Sequence, residues 1–449
     1  MGTETVRTPA ADEAAERRRE RRGWYFYDWA CSVYSTSVLT VFLGPYLTSV
    51  AEEAADADGF VHPLGIPVRA GSFFAYSVSL SVIVAVLAMP LAGAAADRTG
   101  RKKPLLGVAA YLGAAATTGM FFLDGERYLL GGLLLIVANA SQSVAMMLCN
   151  SYLPRIAAPE ERDAVSSRGW AFGYASGALV LVAHLVLYLA HDSFGVSEGQ
   201  AVRICLASAG LWWGVFTVIP LRRLRDRGAA PAREATATGW RQLAATLRDM
   251  RRHPLTLSFL LAYLVYNDGI QTVISQASIY GSKELDLGQS TLIGAVLLVQ
   301  VLAVAGALAL GRLARRYGAK RTILGSLAAW TLVLAAGYFL PAGAPVWFFV
   351  LASGIGLVLG GSQALSRSLF SHLVPPGKEA EYFSAYELSD RGTSWLGPLL
   401  FGLTYQLTGS YRDAIISLVA FFLLGFLLLA RVPVRRAIAD AGNPVPERI

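Results

Sequence analysis

Charge is scarce in this sequence. Only 16% of its 449 residues are Asp, Glu, Lys or Arg, where a soluble domain averages about 25%. That shortage excludes water as the main solvent of the chain. Cysteine is nearly absent too: Cys31, Cys149 and Cys205 each lie inside an apolar run without a C-x-x-C partner. Neither a disulfide framework nor a thiolate metal site is encoded, and the three read as small packing residues. No H-E-x-x-H, paired-aspartate metal motif, nucleophile elbow or G-x-x-x-x-G-K-[ST] loop occurs. The common hydrolytic chemistries and direct ATP drive are therefore unsupported, and the chain reads as a non-enzyme without a cofactor. Acidic residues are the minority, which leaves a net charge of +8. The cations nevertheless fall in short loops between apolar spans instead of on one face, so no nucleic-acid partner is expected.

What the chain has in abundance is apolar length. Hydrophobic residues make up 54% and the mean hydropathy is +0.47. Spans of about 20 residues, enough to cross a bilayer, are read at Trp24–Val50, Ser72–Ala95, Pro104–Leu123, Tyr128–Asn150, Arg168–Ala190 and Ala201–Leu221. After a polar interval six more follow, at Pro254–Tyr280, Ser290–Gly311, Thr322–Pro341, Pro345–Phe370, Phe383–Leu407 and Tyr411–Arg431. The expected organisation is a tail over 1–23, a six-helix bundle over 24–221, a basic linker over 222–253, a second bundle over 254–431 and a tail over 432–449. Within the linker, Trp240, Leu243, Leu247 and Met250 recur at helical spacing, which suits a helix lying on the membrane surface. No signal peptide is read, because the first apolar run is too long for a removable one. Of the 39 Lys and Arg, 33 fall on the side of the termini and 5 on the other. The positive-inside rule then makes both termini cytoplasmic.

Two turns repeat between the bundles. The first is Gly93-Ala-Ala-Ala-Asp97-Arg98-Thr99-Gly100-Arg101-Lys102-Lys103, and the second is Gly311-Arg-Leu-Ala-Arg315-Arg316-Tyr317-Gly318-Ala319-Lys320-Arg321. Each opens on a glycine, repeats a glycine seven residues on and carries several cations, the mark of a duplicated membrane protein. The first copy resembles, at every position, the G-x-x-x-D-R-x-G-R-K loop of the major facilitator superfamily. The second departs at Arg315 and Ala319. The resemblance implies an all-α fold of twelve transmembrane helices in two pseudo-symmetric bundles. It also implies that Gly93, Asp97, Arg98, Gly100 and Arg101 form a gate latch on the cytoplasmic side. From the residues alone, Asp97 can pair with an arginine or cap a helix N-terminus.

Polar side chains inside the spans mark the rest of the candidate site. The first span carries Asp28, Ser32, Ser35 and Thr36, and the seventh carries Asp268, Thr272, Ser275 and Gln276. Offsets of four, seven and eight keep each set on one helical face. A buried carboxylate is costly in hydrocarbon, so each needs a wet cavity, a partner or a proton. Asp268, next to Asn267 and near mid-span, is the first candidate for a proton or substrate site, with packing hydrogen bonds as the alternative. Asp28, nearer the membrane surface, is read either as a second candidate or as a gate residue paired with arginine. The fourth and tenth spans share a Ser-Gln step, Ser141-Gln142 and Ser362-Gln363, with Asn139 and Asn150 close by in the fourth. Their amides can bind both ends of a zwitterion or hydrogen-bond between helices. Arg367, Glu387, Asp390 and Arg391 form an expected gating cluster, and His184 is a possible proton relay or a packing histidine.

A subgroup is suggested by Tyr27-Asp28-Trp29-Ala30-Cys31-Ser32-Val33-Tyr34, by Leu153-Pro154, Ser166-Ser167 and Gly173-Tyr174, and by Ser362-Gln363-Ala364-Leu365-Ser366-Arg367-Ser368. These resemble the autophagy-linked vacuolar amino-acid effluxers of fungi and their bacterial relatives, with Cys31 in place of the subgroup's Asn. The resemblance implies a monomeric secondary transporter of the bacterial plasma membrane that exports amino acids by alternating access. Protons are the expected coupling partner and the lipid bilayer the surroundings. The alternatives are a multidrug or sugar exporter of the same fold, or a sensor that transports nothing.

Overall fold

The computed structural model of the protein describes residues 9–70, 73–226, 248–391, 396–408 and 410–449. Side chains at 9–14, 69, 75, 278–279, 282–283, 289–290, 388, 390–391, 398, 402 and 405–406 are outside the described set. Among the described residues, ten helices are long and apolar enough to cross a membrane.

The N-terminal half contains α1 (Pro9–Val33), α2 (Phe73–Thr99), α3 (Lys102–Gly119), α4 (Tyr128–Asn150), α5 (Arg162–Leu189) and α6 (Glu198–Arg223). The C-terminal half contains α7 (Pro254–Lys283), α8 (Gln289–Tyr317), α9 (Ala319–Tyr338) and α10 (Pro345–His372). It continues with α11 (Glu379–Arg391, resumed over Leu396–Thr408), α12 (Tyr411–Ser417 and Val419–Arg431) and a short α13 (Val434–Asp440). The ninth and eleventh spans are helices outside the ten apolar ones. In α9 the charges of Lys320 and Arg321 lower the hydropathy, and α11 is described as two pieces of 13 residues, each too short to cross by itself. A two-stranded antiparallel hairpin, β1 (Phe60–Val61) and β2 (Val68–Arg69), lies between α1 and α2, with Phe60 opposite Arg69.

Two boundaries differ from the sequence reading. Helix α1 runs through Gly23 without a break, so the charged tail extends the first span. Arg21 anchors this extension, donating to the Ile156 carbonyl at 2.8 Å and to the Glu161 carboxylate. Above Val33 the helix widens into a π-helix over Tyr34–Phe42 before resuming as α-helix at Leu43. The Thr40 hydroxyl donates to the Ser35 carbonyl five residues back at 2.8 Å, a bond that fits the wider turn. The surface helix expected at Trp240–Arg252 falls largely on residues outside the described set.

Contact between the halves runs along two seams. On one, α5 packs against α8 and α10; on the other, α11 packs against α2 and α4. Duplication explains the pairing, since α5 and α11 occupy equivalent places, as do α2 and α8. Inside each half, buried aromatics fill the centre: Trp213 beside Tyr34 in the first and Trp330 stacked on Phe422 in the second.

Candidate functional site

At the end that carries the termini, the halves are joined by buried charge. Arg367 of α10 reaches across to three N-terminal helices. Its Nε donates to the Ser166 hydroxyl at 2.9 Å, and Nη2 donates to the Ser166 carbonyl at 2.9 Å. Nη1 donates to Asn150 Oδ1 at 3.1 Å, and Asp28 Oδ2 lies 3.4 Å away. The guanidinium also sits over the Trp24 ring, 4.6 Å from its centroid. Arg367 is 2% exposed and Asp28 5%, so this is a desolvated pair with nearly every donor satisfied. Asp28, Ser166 and Arg367 come from the three separate motifs that suggested the subgroup, and they converge on one point. Beside them Asn150 donates to Glu387 Oε1 at 2.8 Å, a second link between halves.

The first basic turn makes the lock on one flank. Asp97 Oδ2 accepts the Glu381 N–H at 3.0 Å, which places a carboxylate at the N-terminus of α11. Its other oxygen lies 3.2 Å from Lys102 Nζ, and Lys102 and Arg155 both reach Glu379 Oε2, at 3.2 and 3.0 Å. Glycine is required at Gly93, since a Cβ there would stand 2.9 Å from the Ala380 carbonyl oxygen. On the opposite flank Arg162 of α5 donates to the Ser371 carbonyl at 2.9 Å, a cation at the C-terminal end of α10. Arg98 and Arg101, expected in the latch, are exposed on the turn, while Lys102 is buried. Asp390 and Arg391 have side chains outside the described residues.

Above this floor lies a cavity of about 370 Å³, inside the roughly 300–1,000 Å³ range of small-molecule sites. Its wall takes Ser32, Ser35 and Thr36 from the first helix, Gln142 from α4, Gln363 from α10, and Arg367 and Glu387 at the bottom. The lining extends to Thr40, Tyr280, Leu292 and Phe348 toward the face opposite the termini. Two hydrogen bonds cross the cavity between halves. Tyr174 donates to Gln363 Oε1 at 3.0 Å, and Gln300 donates to Thr36 Oγ1 at 2.8 Å. Trp170, Tyr174, Tyr263 and Tyr386 supply aromatic faces. Sequence reasoning passed over Gln271, Gln300 and the two α7/α11 tyrosines. Gln271 sits three residues past Asp268, a spacing that could have drawn attention to it.

Several singled-out residues lie elsewhere. Asp268 is 2% exposed, but it faces α11: its Oδ2 accepts the Gly397 N–H at 2.8 Å, and its Oδ1 has no hydrogen-bond partner among the described residues. Thr272 donates to the Asp268 carbonyl on the same seam. Asn267 is buried outside the lining, and Gln276 is outside it too. Asn139 ties α4 to α2, donating to the Ser81 hydroxyl at 2.7 Å. The serines of the two Ser-Gln steps, Ser141 and Ser362, are buried away from the cavity. His184 is held on both ring nitrogens, by Ser37 at 2.5 Å and Ser208 at 2.9 Å, inside the N-terminal half.

The chain is similar over its whole length to known proteins. It is 30% identical over 419 residues to the uncharacterized MFS-type transporter YxiO of Bacillus subtilis (strain 168), covering 92% of this chain and 95% of that one. It is 27% identical to autophagy-related protein 22-1 of Penicillium rubens, covering 98% and 94%. In fold it matches the major facilitator transporter FucP in the outward conformation, with a TM-score of 0.68 at 12% identity over 92% of this chain and 98% of that one. Residues 16–442 match the family described as vacuole effluxer Atg22 like. The chain therefore belongs to that family, as a multi-pass membrane transporter of the major facilitator superfamily.

Proposed function

We propose that the protein exports neutral amino acids by alternating access, and that the cavity above Arg367 is the substrate site. The observation that carries this reading is the chemistry of the wall. Amides from Gln142, Gln271, Gln300 and Gln363 present donors and acceptors, and aromatic rings stand ready for an apolar side chain. Arg367 is already engaged by Asp28, Asn150 and Ser166, which disfavours a substrate bearing net charge. The family's description as vacuole effluxer Atg22 like supports solute transport, and the outward direction is part of the proposal. The cation split supports cytoplasmic termini in a bacterial plasma membrane, so that the floor is the cytoplasmic gate.

Proton coupling is assigned to Asp268. The supporting observation is a buried mid-span carboxylate with no cation beside it among the described residues. The test is counterflow in proteoliposomes with a panel of amino acids, sugars and lipophilic cations. Saturable exchange of neutral amino acids, reduced by Gln363→Ala and Gln142→Ala, is the expected result. Exchange of a lipophilic cation or a sugar alone would overturn the substrate assignment. Uphill transport retained in Asp268→Asn would remove that carboxylate from the coupling.

A further inference from the structure

The two basic turns sit at equivalent corners, and only the first holds a buried lysine paired with acids. At the N-terminal corner, where α3 begins and α6 ends, Asp97, Asp226 and Glu379 engage the turn and its neighbours. Asp226 accepts the Lys103 N–H at 3.1 Å and the Tyr152 hydroxyl at 2.6 Å, while Asp97 and Glu379 hold Lys102. At the C-terminal corner, where α9 begins and α12 ends, no buried ion pair takes these places among the described residues. There Lys320 reaches back to the carbonyls of Ala430 and Val432, both at 2.8 Å, and so closes the end of α12 with a cation. Arg448 donates to the Arg316 carbonyl at 3.4 Å and Arg435 to the Glu447 carbonyl at 2.7 Å. These bonds knit the ends of α8, α9, α12 and α13 into one basic patch.

Within that patch Arg312, Arg315, Arg321 and Arg431 are exposed, with no ion pair or hydrogen bond among the described residues. Acids are fewer there than cations: Asp440 sits 3.9 Å from Arg436, and Glu160, Asp163 and Glu447 line the hollow shared by Arg315 and Arg448. Just inside the cations the surface turns apolar: Leu313 is 43% exposed, Tyr317 48% and Leu427 51%. A tyrosine beside arginine at the end of a span is the pattern of a membrane–water boundary, and Arg316 stands 5.4 Å from the Tyr317 ring centroid. Unpaired guanidiniums above an apolar wall match a ligand with an anionic head and a hydrocarbon tail.

We propose that this corner of the C-terminal half binds the headgroup of an anionic phospholipid. The second turn, which lacks the first's aspartate, is then put to another use: a latch on one side, a lipid contact through Arg312, Arg316, Arg321 and Arg431 on the other. The site is independent of the transported solute.

The test uses the full chain in nanodiscs of phosphatidylcholine doped with phosphatidylglycerol, with lipid retained after re-extraction measured by mass spectrometry. Wild type should retain phosphatidylglycerol over phosphatidylcholine. Arg312→Gln/Arg316→Gln/Arg321→Gln/Arg431→Gln should cut that retention by about tenfold or more. Lys103→Gln/Arg222→Gln, at the equivalent N-terminal corner, should leave it unchanged. Equal retention by wild type and the fourfold variant would overturn the proposal, as would displacement of the lipid by inorganic phosphate at matched concentration. If the fourfold variant is not monodisperse, the pairs Arg312→Gln/Arg316→Gln and Arg321→Gln/Arg431→Gln carry the test. Each pair should then lose part of the retention, and a loss in neither would equally overturn it.

Discussion

The turns at Gly93 and Gly311 share a backbone and differ in what they do with it. Their second glycines, Gly100 and Gly318, both adopt left-handed φ, 66° and 92°. Their first glycines both lie against the opposite half, Gly93 on Ala380 and Gly311 on Ser167. From there the two part. Asp97 caps α11 and holds Lys102, which closes that flank with buried ion pairs. Arg315 stands instead at the rim of a cavity of about 310 Å³, beside Pro159, Glu160 and Asp163 at the start of α5. Duplication has preserved the geometry of the turn and released its charges, so one side of the gate is bolted and the other is held chiefly by Arg162.

The comparison can be broken most severely at its midpoint. Arg367→Ala leaves Asp28 buried without a cation, at a cost of about 3–5 kcal/mol, and should lower the thermal midpoint sharply. Adding Asp28→Asn should recover part of the loss, and an additive double-mutant cycle would contradict the pairing. Lys102→Ala comes next. It leaves Asp97 without a cation and Glu379 with Arg155 alone, for about 3 kcal/mol, whereas Arg315→Ala, on the turn without a buried ion pair, should stay within about 0.5 kcal/mol. Equal midpoint shifts in the two variants would erase the distinction between the turns.

Gly93→Ala should cost about 1–3 kcal/mol because its new methyl meets a main-chain carbonyl. Gly311→Ala should cost at least as much, since its methyl would stand 2.6 Å from the Ser167 Cβ, which no side-chain rotation can move. Thermal midpoints check the order. The smallest effect is with pH. Burial pulls the Glu379 carboxyl up, but Lys102 and Arg155 outweigh it and hold the group below its ordinary value. Glu379 lies ahead of the eleventh apolar span. A depressed carboxylate contributes stability that is full above its unfolded value and is lost as pH falls through its folded one. Glu379's contribution to the bolted flank should thus be lost only below the usual glutamate range, and Glu379→Gln should flatten that acid limb of the stability profile.

Much of this was legible in the chain. Of the two roles open to Asp97, an arginine pair or a helix cap, the structure has the cap on α11, with Lys102 as its cation. Asp28, whose alternative reading paired it with loop arginines, meets an arginine inside a helix instead, Arg367 of α10. Gln142 and Gln363 both line the cavity, and Gln363 also makes the hydrogen bond between helices that was the other reading of the Ser-Gln step. The partners of the latch were not legible, because Lys102 and Glu379 are 277 residues apart and sequence spacing says nothing about seams between halves. Helical periodicity put Asp268 on a face, but could not tell a face on the cavity from a face on α11. The π-helix over Tyr34–Phe42 likewise shifts the register of the first span, so that Thr36 meets Gln300 while its neighbour Ser37 turns inward to His184.

The central claim is that the halves rock about the cavity, with the Asp97 and Arg367 contacts holding the end of the termini shut. Spin-label distances measured at both faces test it most directly, between Arg98 and Arg436 at the floor end and between Phe194 and Phe339 at the other, all exposed positions. In Asp97→Ala/Arg367→Ala the first distance should lengthen while the second shortens, in the same sample. A lengthened floor distance with an unchanged partner would mean local fraying, and would contradict alternating access in this molecule.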